Sequence, residues 1–210
     1  HWQRALAETG EPPERVSFAA INSTHMQSAF PHLPIQETDP LMGGSGRFWP
    51  PEVAWAWSHH ETSLLMVPGL SEFDFVWLCE NDLVYYGNLR GWFDFAGSLV
   101  EDHSIDLYTG GISLAPSDWM HIERCVGAPC TELRPVWTGY EHLRGFSRDM
   151  LQELERYYVH GEYMWGEAFA PSICQHNAAM PQDAASRALP GAPRAWNCYD
   201  DTSLFGRASS

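Results

Sequence analysis

The sequence predicts an α/β sandwich, and three observations support that prediction. An apolar run of strand length at residues 73–79, rich in aromatic and branched side chains, is typical of a strand buried on both faces. Apolar residues at helical spacing precede and follow it, at 50–65 and 89–99. A further strand, 104–108, and a third helix, 148–158, continue the pattern. Strands that alternate with helices in this way pack as α/β layers.

Local signals place the elements in chain order. Residues 15–21 fit a short strand, and residues 22–46, rich in Pro, Gly, His and Ser, predict a long loop. Pro50 opens the helix before the first strand, because proline suits the first helical turn. Ser147 is a favourable N-cap for the amphipathic helix that follows it.

The remaining stretches carry weaker signals. Residues 112–135 predict irregular structure, and residues 178–210, rich in Ala, Pro, Ser and Gly, show no clear element. A length of 210 residues suits a single domain, so we expect one domain over 1–210. The chain begins at His1 instead of Met, which is consistent with a fragment or a processed form.

The charge of the chain excludes several partners. Twenty-seven acidic and 12 basic side chains give a net charge of −15, whereas nucleic acids and anionic membranes require a basic surface. The sequence has no apolar run long enough to span a membrane. A protein this acidic needs a cation or a local basic patch to bind a diphosphate.

Five cysteines leave at least one unpaired within the chain. Cys125 could close a small loop with Cys130, and Cys174 could pair with Cys198, as in an oxidising compartment. Five reduced cysteines are the equally open alternative. The cysteines and histidines lack the tight spacings of zinc sites, so we predict no structural zinc.

Two carboxylates, Glu80 and Asp82, stand directly after the first predicted strand. In open α/β sheets, ligands bind at the carboxyl ends of strands. A pair of acids there can hold a hard divalent cation, and that cation can neutralise a diphosphate. The alternative interpretation is a solvated strand end, where acidic residues are common.

The sequence around this pair, Phe-Val-Trp-Leu-Cys-Glu-Asn-Asp-Leu-Val-Tyr-Tyr-Gly-Asn at 75–88, resembles the Asp-x-Asp region of GT-A-type glycosyltransferases, the nucleotide-diphospho-sugar transferase superfamily. It is most similar to poorly characterised eukaryotic members that carry Glu-x-Asp-Val. A second stretch, 145–174, is similar to the Phe-Ser-x-x-Leu-Leu and Gly-x-x-Glu-x-Phe-x-Pro-Thr-x-Cys segments of several sugar-nucleotide transferases. Together the two regions fall within residues 50–175, in the order and spacing of the family.

The resemblance implies a fold and an activity. The fold is a GT-A-like three-layer α/β/α sandwich with a mostly parallel mixed sheet. The activity is transfer of a hexose or N-acetylhexosamine from a nucleoside-diphosphate donor to a hydroxyl of a glycan, protein or lipid. Mn²⁺ or Mg²⁺ would be held by Asp82 with help from Glu80, and both residues would bind the donor. By family analogy the protein would lie in the Golgi lumen or at a membrane.

The second stretch offers further candidate site residues. Glu167, a carboxylate beside aromatic residues, could be the base that deprotonates the acceptor in an inverting enzyme. Tyr163 or Trp165 could stack on an acceptor sugar. Arg148 and Arg144 could bind donor phosphate oxygens in bidentate fashion. The structural alternatives are an acid that caps a turn before a strand, aromatic core residues, and solvated charges at a helix end.

Two other functions remain open from the sequence. A non-catalytic carbohydrate-binding or scaffold domain could retain the same fold, and ten tryptophans would serve it equally well. A metal-dependent hydrolase could direct the same carboxylates at a phosphate ester. Metal-dependent binding of a nucleotide separates the transferase from the first, and transfer to an acceptor instead of water separates it from the second.

Overall fold

The computed structural model describes residues 22–33, 60–80, 89–119, 121–122, 124–179 and 196–201. Its helices are α1 (Ser23–Ala29), α2 (His60–Leu65), α3 (Leu89–His103), α4 (Pro129–Glu132), α5 (Arg148–Val159) and α6 (Gly166–Ala179), with a 3-10 turn at Leu70–Glu72. Its strands are β1 (Phe75–Cys79), β2 (Leu107–Leu114), β3 (Cys125–Val126), β4 (Trp137–Ser147), β5 (Tyr163–Met164) and β6 (Cys198–Asp200).

The main sheet has four strands in the order β1-β4-β2-β6, and β3 and β5 form a separate antiparallel pair. β4 is antiparallel to both of its neighbours, while β2 and β6 are parallel. β1, β2 and β6 therefore run in the same direction. Their carboxyl ends point toward the same side of the sheet, which is called the carboxyl edge below. β2 ends beside the first residue of β4, whereas β1 ends opposite Leu143 and β6 ends beside Thr109.

The predicted mostly parallel GT-A sandwich is wrong. Two of the three strand pairings in the main sheet are antiparallel, because the long strand β4 lies between β1 and β2. β4 was not predicted from the sequence, since its segment 137–147 contains two glycines and several polar or charged residues instead of an apolar run. The described residues still combine helices with a sheet.

Helices cover both faces of the sheet. On one face, α5 and α6 form the larger hydrophobic core together with α1 and α2. On the other face, Trp92 and Ala96 of α3 form a smaller core. The alternation along β1 matches this arrangement, because Val76 and Leu78 pack against the larger core and Phe75 and Trp77 against the smaller one.

Glycines let neighbouring groups approach the central strand β4 closely. The rings of Phe75 and Trp77 cover Gly145, where a methyl group would collide with them. At Gly139 a methyl carbon would lie 3.1 Å from a Thr109 side-chain carbon and 3.2 Å from the Pro171 ring. These glycines obscure the strand pattern in the sequence, and they also allow β1 and α6 to pack tightly on β4.

Several predicted elements are confirmed. The strand predicted at 73–79 is β1, and the helix predicted at 89–99 is α3, which continues to His103. Ser147 caps α5, and its hydroxyl accepts a hydrogen bond from the Met150 amide at 3.1 Å. The strand predicted at 104–108 is β2, which starts later and extends to Leu114.

Other predictions need correction. The loop predicted at 22–46 contains α1, which Asn22 caps through a side-chain bond to the His25 amide. The irregular stretch 112–135 includes the end of β2 as well as β3 and α4. The predicted strand 15–21 lies outside the described residues, as does most of the helix predicted from Pro50.

Two disulfides are present, in the pairing that the cysteine spacing allowed. Cys125 is bonded to Cys130, and Cys174 to Cys198, whereas the exposed Cys79 is free. The second bond joins the buried helix α6 to β6. Among the described helices, none is both long and apolar enough to cross a membrane.

Candidate functional site

Glu80 stands at the carboxyl edge, directly after β1, and its side chain is only 17% exposed. One carboxylate oxygen is in close contact with His142 Nδ1, and the other lies 3.8 Å from His60 Nε2. The Glu80 amide also donates to the His142 carbonyl at 3.0 Å. Asp82, its partner in the predicted motif, lies outside the described residues.

Burial determines the charge of His60. It lowers the pKa of the imidazole, and the Arg144 guanidinium adds to this shift, while the carboxylates of Glu61 and Glu80 oppose it. His60 is therefore mainly neutral at pH 7. Its contact with Glu80 is a contact between a neutral ring and a carboxylate, not a full ion pair.

A fully buried ion pair lies beneath this cluster. Arg144 Nη1 donates to a Glu61 carboxylate oxygen at 2.8 Å, and neither side chain is exposed. The same nitrogen donates to the Gly166 carbonyl at 2.9 Å, and Arg144 Nε donates to the Tyr140 carbonyl at 3.2 Å. Arg144 thus joins α2, β4 and the first residue of α6. It fixes the backbone next to Glu167.

Tyr158 completes this buried network from α5. Its hydroxyl donates to the second oxygen of Glu61 at 3.4 Å. Burial raises the pKa of Tyr158, so the hydroxyl remains a hydrogen-bond donor at any ordinary pH. Both oxygens of the buried Glu61 carboxylate therefore have a donor, as a buried charge requires.

A cleft of about 180 Å³ opens at the same edge of the sheet. It lies between the last part of β2, the first part of β4 and the start of α6. Glu167, in the first turn of α6, is half-buried in it. The residues that line the cleft are Gly111, Ser113, Pro116, Trp119, Thr138, Gly139, Tyr140 and Glu167.

The alternative interpretation of Glu167, an acid that caps a turn before a strand, is wrong. Glu167 lies in the first turn of the helix α6, and no strand follows it. The helix is buried nearly all round, so its sequence lacks an amphipathic period, and Gly166 and Pro171 resemble loop signals. Pro171 packs beside Gly139, and the Ser172 hydroxyl accepts from the Trp137 amide at 2.9 Å. These contacts hold α6 against β4 and place Glu167 in the cleft.

A stack of rings supports the cleft wall. Trp119 meets His121 edge-on, with ring centres 5.1 Å apart, and His121 stacks on Trp165 at 4.2 Å. The guanidinium of Arg124 lies over the Trp165 ring at 4.6 Å. Trp165 is only 5% exposed, so it packs beneath the residues of the cleft wall and supports them.

The predicted acceptor residues therefore do not line the cleft. Trp165 is covered by His121, and its ring is not open to a sugar in this structure. Tyr163 lies in β5, pairs with Val126 and packs against the larger core. The aromatic residues that do line the cleft, Trp119 and Tyr140, come from segments without a recognised motif.

A break in the β2 ladder shapes the opposite wall. The register between β2 and β4 shifts on both sides of Gly110, and Gly111 has a φ of 67°. The Gly111 amide donates to an Asp200 carboxylate oxygen at 2.6 Å. Next to it, the Tyr108 hydroxyl donates to the buried Asp201 carboxylate. The paired glycines after a predicted strand were a signal for this bulge.

Arg148 lies away from the cluster around Glu80. The start of β1 pairs with Ser147, whereas Glu80 follows the end of β1, and five strand residues span about 17 Å. Arg148 contacts Asp74 at 3.1 Å and the Phe73 carbonyl at 3.3 Å. The structure thus separates Arg148 from Glu80. In this structure Arg148 is a partly exposed charge at a helix start, and Arg144 is committed to the buried network.

The described part of the chain does not bring three candidate metal ligands together. Within this described part, no three His, Cys, Asp or Glu side chains are arranged around a common metal position. Glu80 is engaged by imidazoles, and imidazole nitrogens suit zinc or copper better than Mg²⁺. The predicted Mn²⁺ or Mg²⁺ site therefore depends on Asp82, for which the described residues give no position.

Comparisons with protein-family models, with curated proteins and with solved structures find no match to this chain.

Proposed function

We propose that this chain transfers a sugar from a nucleoside-diphosphate donor to a hydroxyl group of a glycan, protein or lipid. The observation that carries the proposal is the carboxyl edge itself. There Glu167 is half-buried in a cleft, while Glu80, the first acid of the resembling Glu-x-Asp motif, directly follows β1. A carboxylate in a cleft beside a candidate donor motif is what glycosyl transfer to a hydroxyl requires.

Glu167 acts as the base in an inverting reaction. Its carboxylate takes the proton of the acceptor hydroxyl while that oxygen attacks the anomeric carbon of the donor. The bond from the anomeric carbon to the diphosphate oxygen breaks, and the diphosphate leaves with the electron pair. The contact between Arg144 and the Gly166 carbonyl supports this role, since it holds the start of α6 in place.

The donor binds at the end of β1, near Glu80 and Asp82. The chain carries a net charge of −15, so a diphosphate would be repelled unless its charge is neutralised. Mn²⁺ or Mg²⁺, when bound, would supply that neutralisation. Asp82 is the residue we assign to the cation.

The proposal is tested by release of UDP or GDP from a panel of nucleotide sugars, with simple methyl glycosides as acceptors. We expect release that depends on the acceptor, and a loss of about 100-fold or more in Glu167→Gln. Glu155→Gln, at an exposed position of α5, is the matched control and should retain the rate. Release that occurs equally without acceptor would indicate a hydrolase instead.

A non-catalytic carbohydrate-binding domain is the second candidate. It is favoured by the aromatic residues Trp119 and Tyr140 in the cleft. Such a domain would bind sugars and release no nucleotide from any donor, so the same assay separates the two functions.

A further inference from the structure

We propose that the cleft between β2, β4 and α6 binds a single neutral sugar ring and excludes anionic sugars. The ring packs against Tyr140 and Trp119, and its hydroxyls bind Ser113, Thr138 and Glu167. That this sugar is the acceptor rests on the proposed function, whereas the binding itself does not.

The described residues that line the cleft include no cationic side chain, which favours a neutral ligand. Of the lining residues, Glu167 alone carries a charge, and it is negative. Two arginines of the described elements around the cleft are already engaged. Arg144 is fully buried against Glu61, and Arg124 lies over the face of Trp165. A carboxylate, sulfate or phosphate on the ligand would therefore meet Glu167 without compensation.

The arrangement of aromatic and hydroxyl groups suits a pyranose ring. Tyr140, which is 51% exposed, and Trp119 both line the cleft, and aromatic rings there can pack against the apolar face of a sugar. Ser113 and Thr138 are direct partners across β2 and β4, so their side chains form an adjacent pair of hydroxyls. Ligand sites commonly combine apolar surfaces with a few convergent polar groups in this way.

Gly111 is required for this geometry. A methyl group on Gly111 would lie 2.5 Å from the Tyr140 ring, and its φ of 67° also disfavours any side chain. The Asp200 carboxylate holds the Gly111 amide at 2.6 Å. The bulge therefore gives the Tyr140 ring space beside β2.

The size of the cleft limits the ligand to one ring. Its volume of about 180 Å³ is below the roughly 300 Å³ at which pockets for drug-sized ligands begin. The rest of a longer glycan or aglycone would extend from the open side into solvent.

The test is an NMR titration of the whole, oxidised chain with methyl glycosides of glucose, galactose, mannose and N-acetylglucosamine, and with methyl glucuronide. We expect at least one neutral glycoside to bind with a Kd of about 1 mM. Methyl glucuronide should bind at least about tenfold more weakly. The proposal that the cleft prefers neutral sugars is overturned by either of two results. Methyl glucuronide binds as well as every neutral glycoside, or no neutral glycoside binds the folded chain.

Two substitutions locate the sugar in the cleft. Tyr140→Ala should weaken binding of the neutral glycoside about tenfold, while Phe95→Ala should not. Phe95 is the matched control because it is also 51% exposed but lies on α3, at the other face of the sheet. Glu167→Gln should narrow the difference between neutral and anionic sugars, a result that a purely structural role of Glu167 would not produce. Equal effects of Tyr140→Ala and Phe95→Ala would place the sugar elsewhere.

The two proposals fail in different ways. If the chain binds a sugar, loses that binding in Tyr140→Ala and transfers sugar from no donor, the transferase proposal is rejected and the sugar site is retained. Transfer whose acceptor KM is unchanged in Tyr140→Ala removes this acceptor site and leaves the transferase.

Discussion

At the scale of single residues, the buried pair of Glu61 and Arg144 organises the candidate site. A buried ion pair is not by itself a source of stability, because desolvation offsets much of its Coulomb energy. Here the guanidinium also binds the carbonyls of Tyr140 and Gly166, which belong to β4 and α6, two of the three elements that border the cleft. The pair is therefore best understood as a device that positions β4 and α6 relative to each other.

Replacing one residue of the Glu61–Arg144 pair should lower the free energy of unfolding far more than replacing both residues. Glu61→Ala leaves the buried Arg144 charge without its carboxylate, and we expect the free energy of unfolding to fall by about 3–5 kcal/mol. The double variant Glu61→Met with Arg144→Met should recover a large part of that loss. Urea unfolding of the three proteins measures both changes. A cost below about 1 kcal/mol for Glu61→Ala would contradict the buried charge network.

His60 should make stability depend on pH. Burial lowers its pKa in the folded state below the value of about 6.5 in the unfolded chain. As the pH falls below about 6.5, the unfolded chain takes up a proton at His60 before the folded protein does, so stability falls with pH in that window. The groups facing the ring are Glu61, Arg144, Glu80 and His142.

Urea unfolding at several pH values between 5 and 8 tests this prediction. As the pH falls from 8 to 5, the free energy of unfolding should decrease less in His60→Gln than in the unmodified protein. His160→Gln, at the exposed end of α5, is the matched control. The assignment fails if the decline is equally steep with and without His60.

At the scale of elements, the sequence predicted what local patterns determine. β1 and α3 have continuous or periodic apolar residues, and α5 has both a capping serine and an amphipathic face. β4 and α6 were missed because tertiary contacts determine them. The glycines of β4 accommodate rings from β1, and α6 is a buried helix that tolerates Pro171.

The residues of the candidate site likewise divide into those that a local motif indicates and those that only tertiary contacts bring together. The sequence identified Glu80 and Glu167 from local motifs, and the structure brings both to the carboxyl edge. It could not identify His142 or Tyr140, because their relation to Glu80 and Glu167 depends on the register of β4. Arg148 was predicted to bind the donor because it flanks the Phe-Ser turn and a guanidinium can bind phosphate oxygens in bidentate fashion, yet the length of β1 separates it from Glu80.

Two glycine substitutions test the packing of β4. Gly145→Ala should destabilise the protein by about 1–3 kcal/mol, because the new methyl group displaces the rings of Phe75 and Trp77. Gly97→Ala in α3 has open space around the new methyl group and should stabilise the helix by up to about 1 kcal/mol. Thermal unfolding of both variants gives the comparison. Equal shifts of the same sign would contradict the close packing at Gly145.

At the scale of the whole molecule, a disulfide ties β6 to the larger core. The Cys174–Cys198 bond spans 24 residues and the Cys125–Cys130 bond spans five. Loop-closure entropy predicts that replacing both cysteines of the longer bond by serine costs about 3.5 kcal/mol, and of the shorter bond about 2 kcal/mol. Urea unfolding without reductant measures the two costs. The reverse order would show that loop closure does not dominate.

The carboxyl edge is the part of the molecule where the candidate residues Glu80 and Glu167 lie. β1, β2 and β6 all run toward it, and the cleft with Glu167 opens beside the last part of β2, although the sheet is not mostly parallel. The buried Arg144 network joins the cluster around Glu80 to the start of α6. A donor at the end of β1 and a sugar in the cleft would thus lie on the same side of the sheet, on either side of this network.

Calorimetric titration of UDP and GDP, with and without Mn²⁺, tests the central claim most directly. It uses the unmodified chain, Asp82→Ala, and Asp94→Ala at an exposed position of α3 as the control. We predict binding of one nucleotide that requires Mn²⁺, is lost in Asp82→Ala and is retained in Asp94→Ala. Absence of Mn²⁺-dependent nucleotide binding by the folded, unmodified chain would contradict the claim that this edge is a transferase site.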